Sequence, residues 1–375
     1  MSMRWKGGFI QYWFNPLSTP TSVYGVWMWG ENTYGQLGLG NTTAYSSPKQ
    51  VAAGSLWTQA ALGFGSTVAI KTDGTLWSWG YGYSGALGLG NTTNYSSPKQ
   101  VGALTNWAQI TAGEYYYAAI KTDGTLWSWG NGLYGRLGLG NTTSYSSPKQ
   151  IGALTTWASV SAGSSFGVAT KINGTLWVWG QNGNGQLGLG NTTIYNSPKQ
   201  VGLLTTWAFA KAGSGHVMAI KTDGTLWSWG ANNDGQLGLS VVVNYSSPKQ
   251  VGILTNWASV SGGNASSFGV KTDGTLWGWG DNSSGQLGLG NKTNYSSPKQ
   301  VGALTEWLQA SAGLYHCLAT KTNGTLWSWG LNSSGQLGLG NTTNYSSPKQ
   351  VGALTAWGKI ATGKQSRTSL ALQNA

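Results

Sequence analysis

Apolar and polar residues alternate in short stretches along this chain, and the stretches return every 50 residues. Residues 107–150 show one full period. Trp107-Ala-Gln-Ile110 reads as a short strand ended by Ala112-Gly113, and Tyr116 to Lys121 as a second. Asp123-Gly124, between apolar runs, is a two-residue hairpin signal. Thr125 to Trp129 then runs back as a third strand, with Trp127 and Trp129 two apart and so on one face. Leu126, Ser128 and Gly130 hold the opposite, mostly small face, which suits stacking against the Trp face of a neighbouring sheet. Leu137-Gly-Leu-Gly140 follows. The Ser-Pro-Lys-Gln segment after it reads as an edge strand, because proline cannot donate to a ladder.

The phrase repeats without drift. Pro-Lys-Gln begins at Pro48, Pro98, Pro148, Pro198, Pro248, Pro298 and Pro348, and Trp-x-Trp-Gly keeps the same interval from Trp27 to Trp327. A period near 50 with several strands per unit predicts a propeller, and seven units close into a ring without capping repeats. The expected fold is all-β: a seven-bladed β-propeller of four-stranded antiparallel blades over residues 26–375, preceded by an arm at 1–25. The ends predict the closure. Val26–Gly30 is a third strand with no second strand before it, and residues 366–373 are a second strand with no third after it, so the two are expected to pair. Small residues at Ala69, Ala119, Ala169, Ala219, Gly269, Ala319 and Ser369 mark the second strand as the one expected nearest the axis.

Composition changes the picture in two respects. Only 8% of residues are charged, yet the net charge is +12, and thirteen of the Lys and Arg are repeat lysines. A ring sets these at fixed radii, as an anion-attracting collar or as solubility for a Trp-rich surface. There is no Lys/Arg run, so nucleic acid is not an expected partner. The single cysteine, Cys317, excludes an internal disulfide. No stretch is apolar enough for a membrane span, and the N-terminus lacks the apolar core of a signal peptide.

Asp-Gly-Thr-Leu-Trp-Ser-Trp-Gly, then Gly-Gln-Leu-Gly-Leu-Gly, Ser-Pro-Lys-Gln-Val and Trp-Ala-x-x-x-Ala-Gly resemble the regulator-of-chromosome-condensation repeat over residues 26–375. The resemblance implies seven four-stranded blades. It leaves function open, since the fold hosts exchange factors, chromatin binders and other interaction modules. His216 and His316 fall where such repeats often keep a structural histidine.

The seven units also serve as their own comparison. Two windows vary while the framework does not: one after Ala/Gly-Gly, one after Trp-Gly. Both are expected on one face near the axis. Tyrosines gather there in the first three repeats, at Tyr34, Tyr81, Tyr83, Tyr115, Tyr116, Tyr117 and Tyr134, with Tyr315 further on. Tyr with Ser, Asn and Gly is the composition of adaptable binding loops, so these residues with Glu114, His216, His316 and Arg367 form the candidate binding face. Ser240-Val-Val-Val243 replaces Gly-Asn-Thr-Thr in one repeat, a candidate contact between subunits of a homo-oligomer. No His/Cys/Asp cluster has metal spacing, and no nucleophile motif or phosphate loop appears, so neither catalysis, cofactor nor metal is expected.

Residues 1–27, with Arg4-Trp-Lys-Gly-Gly-Phe-Ile10, Pro16, Pro20 and Gly25-Val-Trp27, are similar to short leaders of marine bacteriophage tail and virion proteins. That likeness implies a virion component. Its arm would dock to other virion proteins through Arg4, Trp5, Phe9 and Trp13, and its Tyr-rich face would meet a host glycan or a neighbouring protein. The alternative is a cytoplasmic or nuclear interaction module of the exchange-factor type. Alternatively the arm packs on the propeller itself.

Overall fold

The computed structural model describes residues 24–374. Six blades have the predicted strand order. In the third, Trp157–Ala162, Phe166–Lys171, Leu176–Gly180 and Tyr195–Gln200 pair antiparallel in sequence order. The blades opening at Trp57, Trp107, Trp207, Trp257 and Trp307 repeat this arrangement. We number the blade opening at Trp57 as blade 1. The hairpin between second and third strands closes as read from the sequence: Gly74 adopts φ +77°, and a Cβ there would sit 2.0 Å from the Thr105 carbonyl. Only glycine fits both the left-handed backbone and the packing.

Blade 7 is assembled from both ends of the chain. Trp357–Thr362 and Thr368–Asn374 pair with each other, and Thr368–Asn374 lies antiparallel to Tyr24–Gly30 in continuous register from Tyr24↔Asn374 to Gly30↔Thr368. Tyr45–Val51 completes the blade. One further bridge, Tyr24↔Trp57, merges blades 7 and 1 into an eight-stranded sheet.

Blades are joined face to face by buried tryptophans. The second Trp of each Trp-x-Trp phrase is fully buried and donates its Nε1–H to a carbonyl of the preceding blade, as in Trp79 to Gln36 at 2.9 Å. Six such bonds run from blade 1 to blade 6. A seventh, Trp29 to the Gln336 carbonyl at 2.9 Å, ties blade 7 to blade 6.

The expectation for the innermost strand is corrected. The first strand is the edge strand of each blade, opposite the proline strand, and first strands of neighbouring blades bond directly to one another around the axis. Gln59 Nε2 donates to the Ala108 carbonyl at 2.9 Å, and Ala162 N and Ala212 N donate to the Thr111 and Ser161 hydroxyls. Lys359 Nζ makes the corresponding bond from blade 7 to the Thr58 carbonyl of blade 1 at 2.8 Å. The second strand is small for another reason: the Trp of the first strand lies over it, and a Cβ at Gly269 would sit 2.5 Å from the Trp257 ring.

The register also corrects one assignment. Ala371, not Ser369, faces Trp27 as Ala69 faces Trp77. The last window is therefore two residues longer than the others.

Candidate functional site

Both variable windows emerge on one face. The first is the turn between first and second strands; the second leaves the third strand beside it. Their backbones bond directly, Tyr81 N to the Gly65 carbonyl and Asn131 N to the Tyr115 carbonyl, at 2.8 and 2.9 Å. The first windows form an annulus around the axis. Phe64 N donates to the Glu114 carbonyl, Glu114 N to Ser164, Ser164 N to Ser214, and Ser214 N to Gly263.

The two extra residues of the last window fill this annulus. Gln365 Nε2 lies 3.1 Å from Ser164 Oγ, 2.8 Å from Ser214 Oγ and 3.2 Å from Asn264 Oδ1, so one side chain from blade 7 reaches blades 3, 4 and 5. Lys364 Nζ donates to the Ala162 carbonyl. Lys364 and Lys211 are half-buried around the filled annulus. Burial brings Lys211 down to about 8 and, with repulsion from Lys211 added, Lys364 to about 7.

The aromatic residues divide by burial. Tyr34 and Tyr81 stack with centroids 4.2 Å apart, and Tyr83 continues the stack at 5.7 Å from Tyr81. Tyr115 meets Tyr83 edge-on at 5.1 Å and Phe64 at the same distance. Tyr83 is 47% exposed, with Leu133 and Tyr134 exposed on the next blade. This is one aromatic sector across blades 7, 1 and 2. Burial, followed by the Glu114 carboxylate, pushes the Tyr115 hydroxyl up to about 12. Glu114 is half-buried beside it, and burial raises its carboxyl above the ordinary value, with Arg136 opposing. Tyr315 is half-buried and Arg367 exposed, both on this face but outside the ring cluster.

Four candidates leave the surface. Tyr116 and Tyr117 are fully buried, Tyr116 donating to the Phe166 carbonyl and Tyr117 lying 2.7 Å from Ser66 Oγ. His216 and His316 are buried as well, each with Nε2 2.9 Å from a serine hydroxyl, Ser267 and Ser369. Burial brings both imidazoles down to about 3, so they are neutral at ordinary pH. The cause is positional: Tyr116, Phe166, His216 and His316 each fill the space above a glycine, where a Cβ on Gly113 or Gly213 would strike the ring. Arg4, Trp5, Phe9 and Trp13 lie outside the described residues.

Arg136 was not singled out from the sequence, although a signal was there. Other repeats hold Asn and Gln at the positions of Asn32 and Gln36. Asn32 accepts from Leu37 N and donates to the Thr43 carbonyl, while Gln36 accepts from Tyr34 N. Blades 1 and 2 carry Gly82 with Ala86 and Gly132 with Arg136 instead. There the loop winds into a short 3-10 turn, with Ser84 and Tyr134 at φ 55° and 61°. The two blades that lack this lock are the two that raise Tyr83, Leu133 and Tyr134 outward. Arg136 is buried beneath, its guanidinium 6.0 Å from the Tyr116 ring and 5.8 Å from that of Tyr134.

The lysine collar splits in two. Lys71, Lys121, Lys171, Lys221, Lys271 and Lys321 are clamped between two tryptophans, the nearer ring 3.7–4.4 Å away. Only the Pro-Lys-Gln set, exposed over Tyr45 and its equivalents, forms a surface belt. Among the described residues no group of His, Cys, Asp and Glu could hold a metal ion, and no helix is long and apolar enough to cross a membrane.

With this geometry in place, the comparisons give the class. The model of the RCC1-like domain matches residues 148–374, more than half of the chain, and the regulator of chromosome condensation (RCC1) repeat matches residues 25–70, 73–120 and 123–170. The chain belongs to the RCC1-like propeller family. Among solved structures, Prp20p from Saccharomyces cerevisiae, studied for its binding to Gsp1p and histones, is similar with a TM-score of 0.84 at 20% identity, over 96% of this chain and 93% of that one. Yeast RCC1 (Prp20) in complex with Kap60 is similar with 0.84 at 20% identity, over 100% and 95%. Human WBSCR16 is similar with 0.83 at 21% identity, over 94% and 99%. At such identities the likeness concerns the fold. No curated protein sequence matches.

Proposed function

We propose that this chain is a non-catalytic interaction propeller that docks a protein partner on the aromatic sector of its window face. The observation that carries this reading is the stack of Tyr34, Tyr81, Tyr83 and Tyr115, partly open to solvent, in which Tyr83 stands outward, with Leu133 and Tyr134 beside it, on the two blades whose loops have lost the Asn–Gln lock. Rigid aromatic side chains give large contact area at small entropy cost, and Tyr is enriched among residues that dominate binding energy. The framework beneath is held by buried indoles and a plugged axis, so the sector is presented preorganised. The similar yeast propellers are described as binding Gsp1p and histones, or as bound to Kap60, which makes protein partners the natural class here. A cytoplasmic or nuclear interaction module suits this reading better than a virion component. The virion expectation leans on the leader, whose docking residues lie outside the described part.

The test is crosslinking followed by mass spectrometry of the tagged full chain in its own host, against a Tyr83→Ala/Tyr115→Ala variant and a Ser284→Ala control on the polar side of the same face. A partner that crosslinks to the wild type and control but drops at least tenfold in the double variant supports the reading. Equal crosslinking of all three removes it.

A further inference from the structure

The face opposite the windows carries a second surface, independent of the aromatic sector. The loops that lead from each outer strand into the next blade lie there, beside the Asp/Asn-Gly hairpins: Trp207 N donates to the Gly174 carbonyl, and Trp257 N to that of Gly224. In six of these loops a leucine stands at the same position, from Leu104 to Leu354, each 46–48% exposed. They form a ring of half-open aliphatic side chains.

One sector departs from the rest. The residue before the ring leucine is alanine in four loops, but Leu203 and Ile253 take its place in the loops entering blades 4 and 5. They are 92% and 89% exposed. The neighbouring hairpin of blade 3 carries Ile172 where the other five hairpins have threonine, and it is 70% exposed. The same hairpin has Asn173 where four others have aspartate, so a charge is missing beside the patch. Three small or polar residues have thus become large aliphatics in successive loops of one sector, with no gain in blade packing. The unchanged repeats supply the comparison: these slots need no such residue for folding.

We infer that this patch is the interface through which two copies of the chain pair face to face. Ile172, Leu203, Leu204, Ile253 and Leu254 together open on the order of 400–500 Å² of aliphatic surface, near the upper limit of what a monomer leaves in water. With the remaining ring leucines the face approaches the roughly 800 Å² per partner of a specific interface. A two-fold axis brings the same patch of each copy together, so aliphatic residues of one copy meet aliphatic residues of the other, with the exposed Thr222-Asp223 hairpin set between the loops of Leu203 and Ile253. A flat ring has the shape for such a contact, and the aromatic sectors of both copies stay free on the outer faces.

The experiment is the mass of the purified full chain by light scattering over a concentration series. Leu203→Ala/Ile253→Ala is the test variant. It installs the residue that four repeats already hold, so the blades fold as before, and circular dichroism checks that they do. Ile172→Thr is the milder second variant, and Ser284→Ala, on the window face, is the control. The wild type and control should reach the mass of two chains as concentration rises. The double variant should associate at least tenfold more weakly, and Ile172→Thr should fall between. Pairing by the double variant with undiminished strength overturns the inference. So does a wild type that remains a single chain at every concentration. Slow amide exchange over residues 201–206 in that single chain would also overturn it, and would assign the patch to a segment of the same chain.

Discussion

Three consecutive tyrosines have three different fates. Tyr115 joins the exposed cluster, Tyr116 fills the space above Gly113, and Tyr117 stacks on Trp129 at 5.8 Å. Their identical chemistry hides the difference. It is set by position: Tyr115 lies in the turn, and Tyr116 and Tyr117 are the first two residues of a strand whose two faces are both buried. The repeats also reveal local strain. Ala52 holds φ 45° where six other repeats have glycine at 58–63°, and Ser240 holds φ 64° where the rest have glycine. A Cβ in the left-handed region costs about 1–2 kcal/mol, and glycine returns about 0.5–1 kcal/mol of that as chain entropy. Ala52→Gly and Ser240→Gly should each raise unfolding free energy by about 0.5–1 kcal/mol, read as a higher denaturant midpoint at constant slope.

The elements were legible wherever period two and turn chemistry act alone. The hairpins stand at Asp-Gly, the Trp-x-Trp strands run to Gly30 and its equivalents, and the proline strands lie at the outer edge. Which strand lies innermost was not legible, because a small residue can answer either a crowded axis or a ring folded over it. Trp57 and its equivalents supply the second cause. The two lysine sets looked equivalent for a similar reason: spacing cannot tell a clamped cation from a free one. They should separate in the laboratory. Lys121 lies 3.7 Å from the Trp127 ring and 4.9 Å from that of Trp107, and is 5% exposed. Lys121→Ala should cost about 1–2 kcal/mol, from the cation–π contacts and the buried stem. Lys149→Ala on the outer belt should change stability by less than about 0.5 kcal/mol. Thermal denaturation of the two variants side by side checks both.

At the scale of the whole molecule, closure places unusual groups at the axis. Lys211 and Lys364 bind protons less readily in the folded protein, at about 8 and about 7 against an ordinary 10.5. Between those values the unfolded chain holds protons that the folded one has released, so stability rises with pH from about 7 toward 10. His216 and His316, held at about 3 against 6.5, act in the acid range with the same sign. Their neutral buried form is lost as pH falls, so stability declines from about pH 6.5 downward. Urea midpoints at pH 5, 7 and 9 should therefore climb in that order, and Lys364→Met should flatten the step from 7 to 9. Gln365→Ala removes the contacts that reach blades 3, 4 and 5 from blade 7. Hydrogen exchange should show faster opening of residues 368–374 in that variant, while blade 3 stays as protected as before.

The sequence by itself determined the repeat, the blade, the hairpins and the pairing of the first and last strands, because each follows from residues close together or from an element left without its partner. The tertiary structure alone decided which side chains of the variable windows face water, how the lysines divide, what lies at the axis, and where the aliphatic patch gathers. Those properties depend on how neighbouring blades cover one another, and a fifty-residue period carries no record of what the adjacent blade puts in the space between.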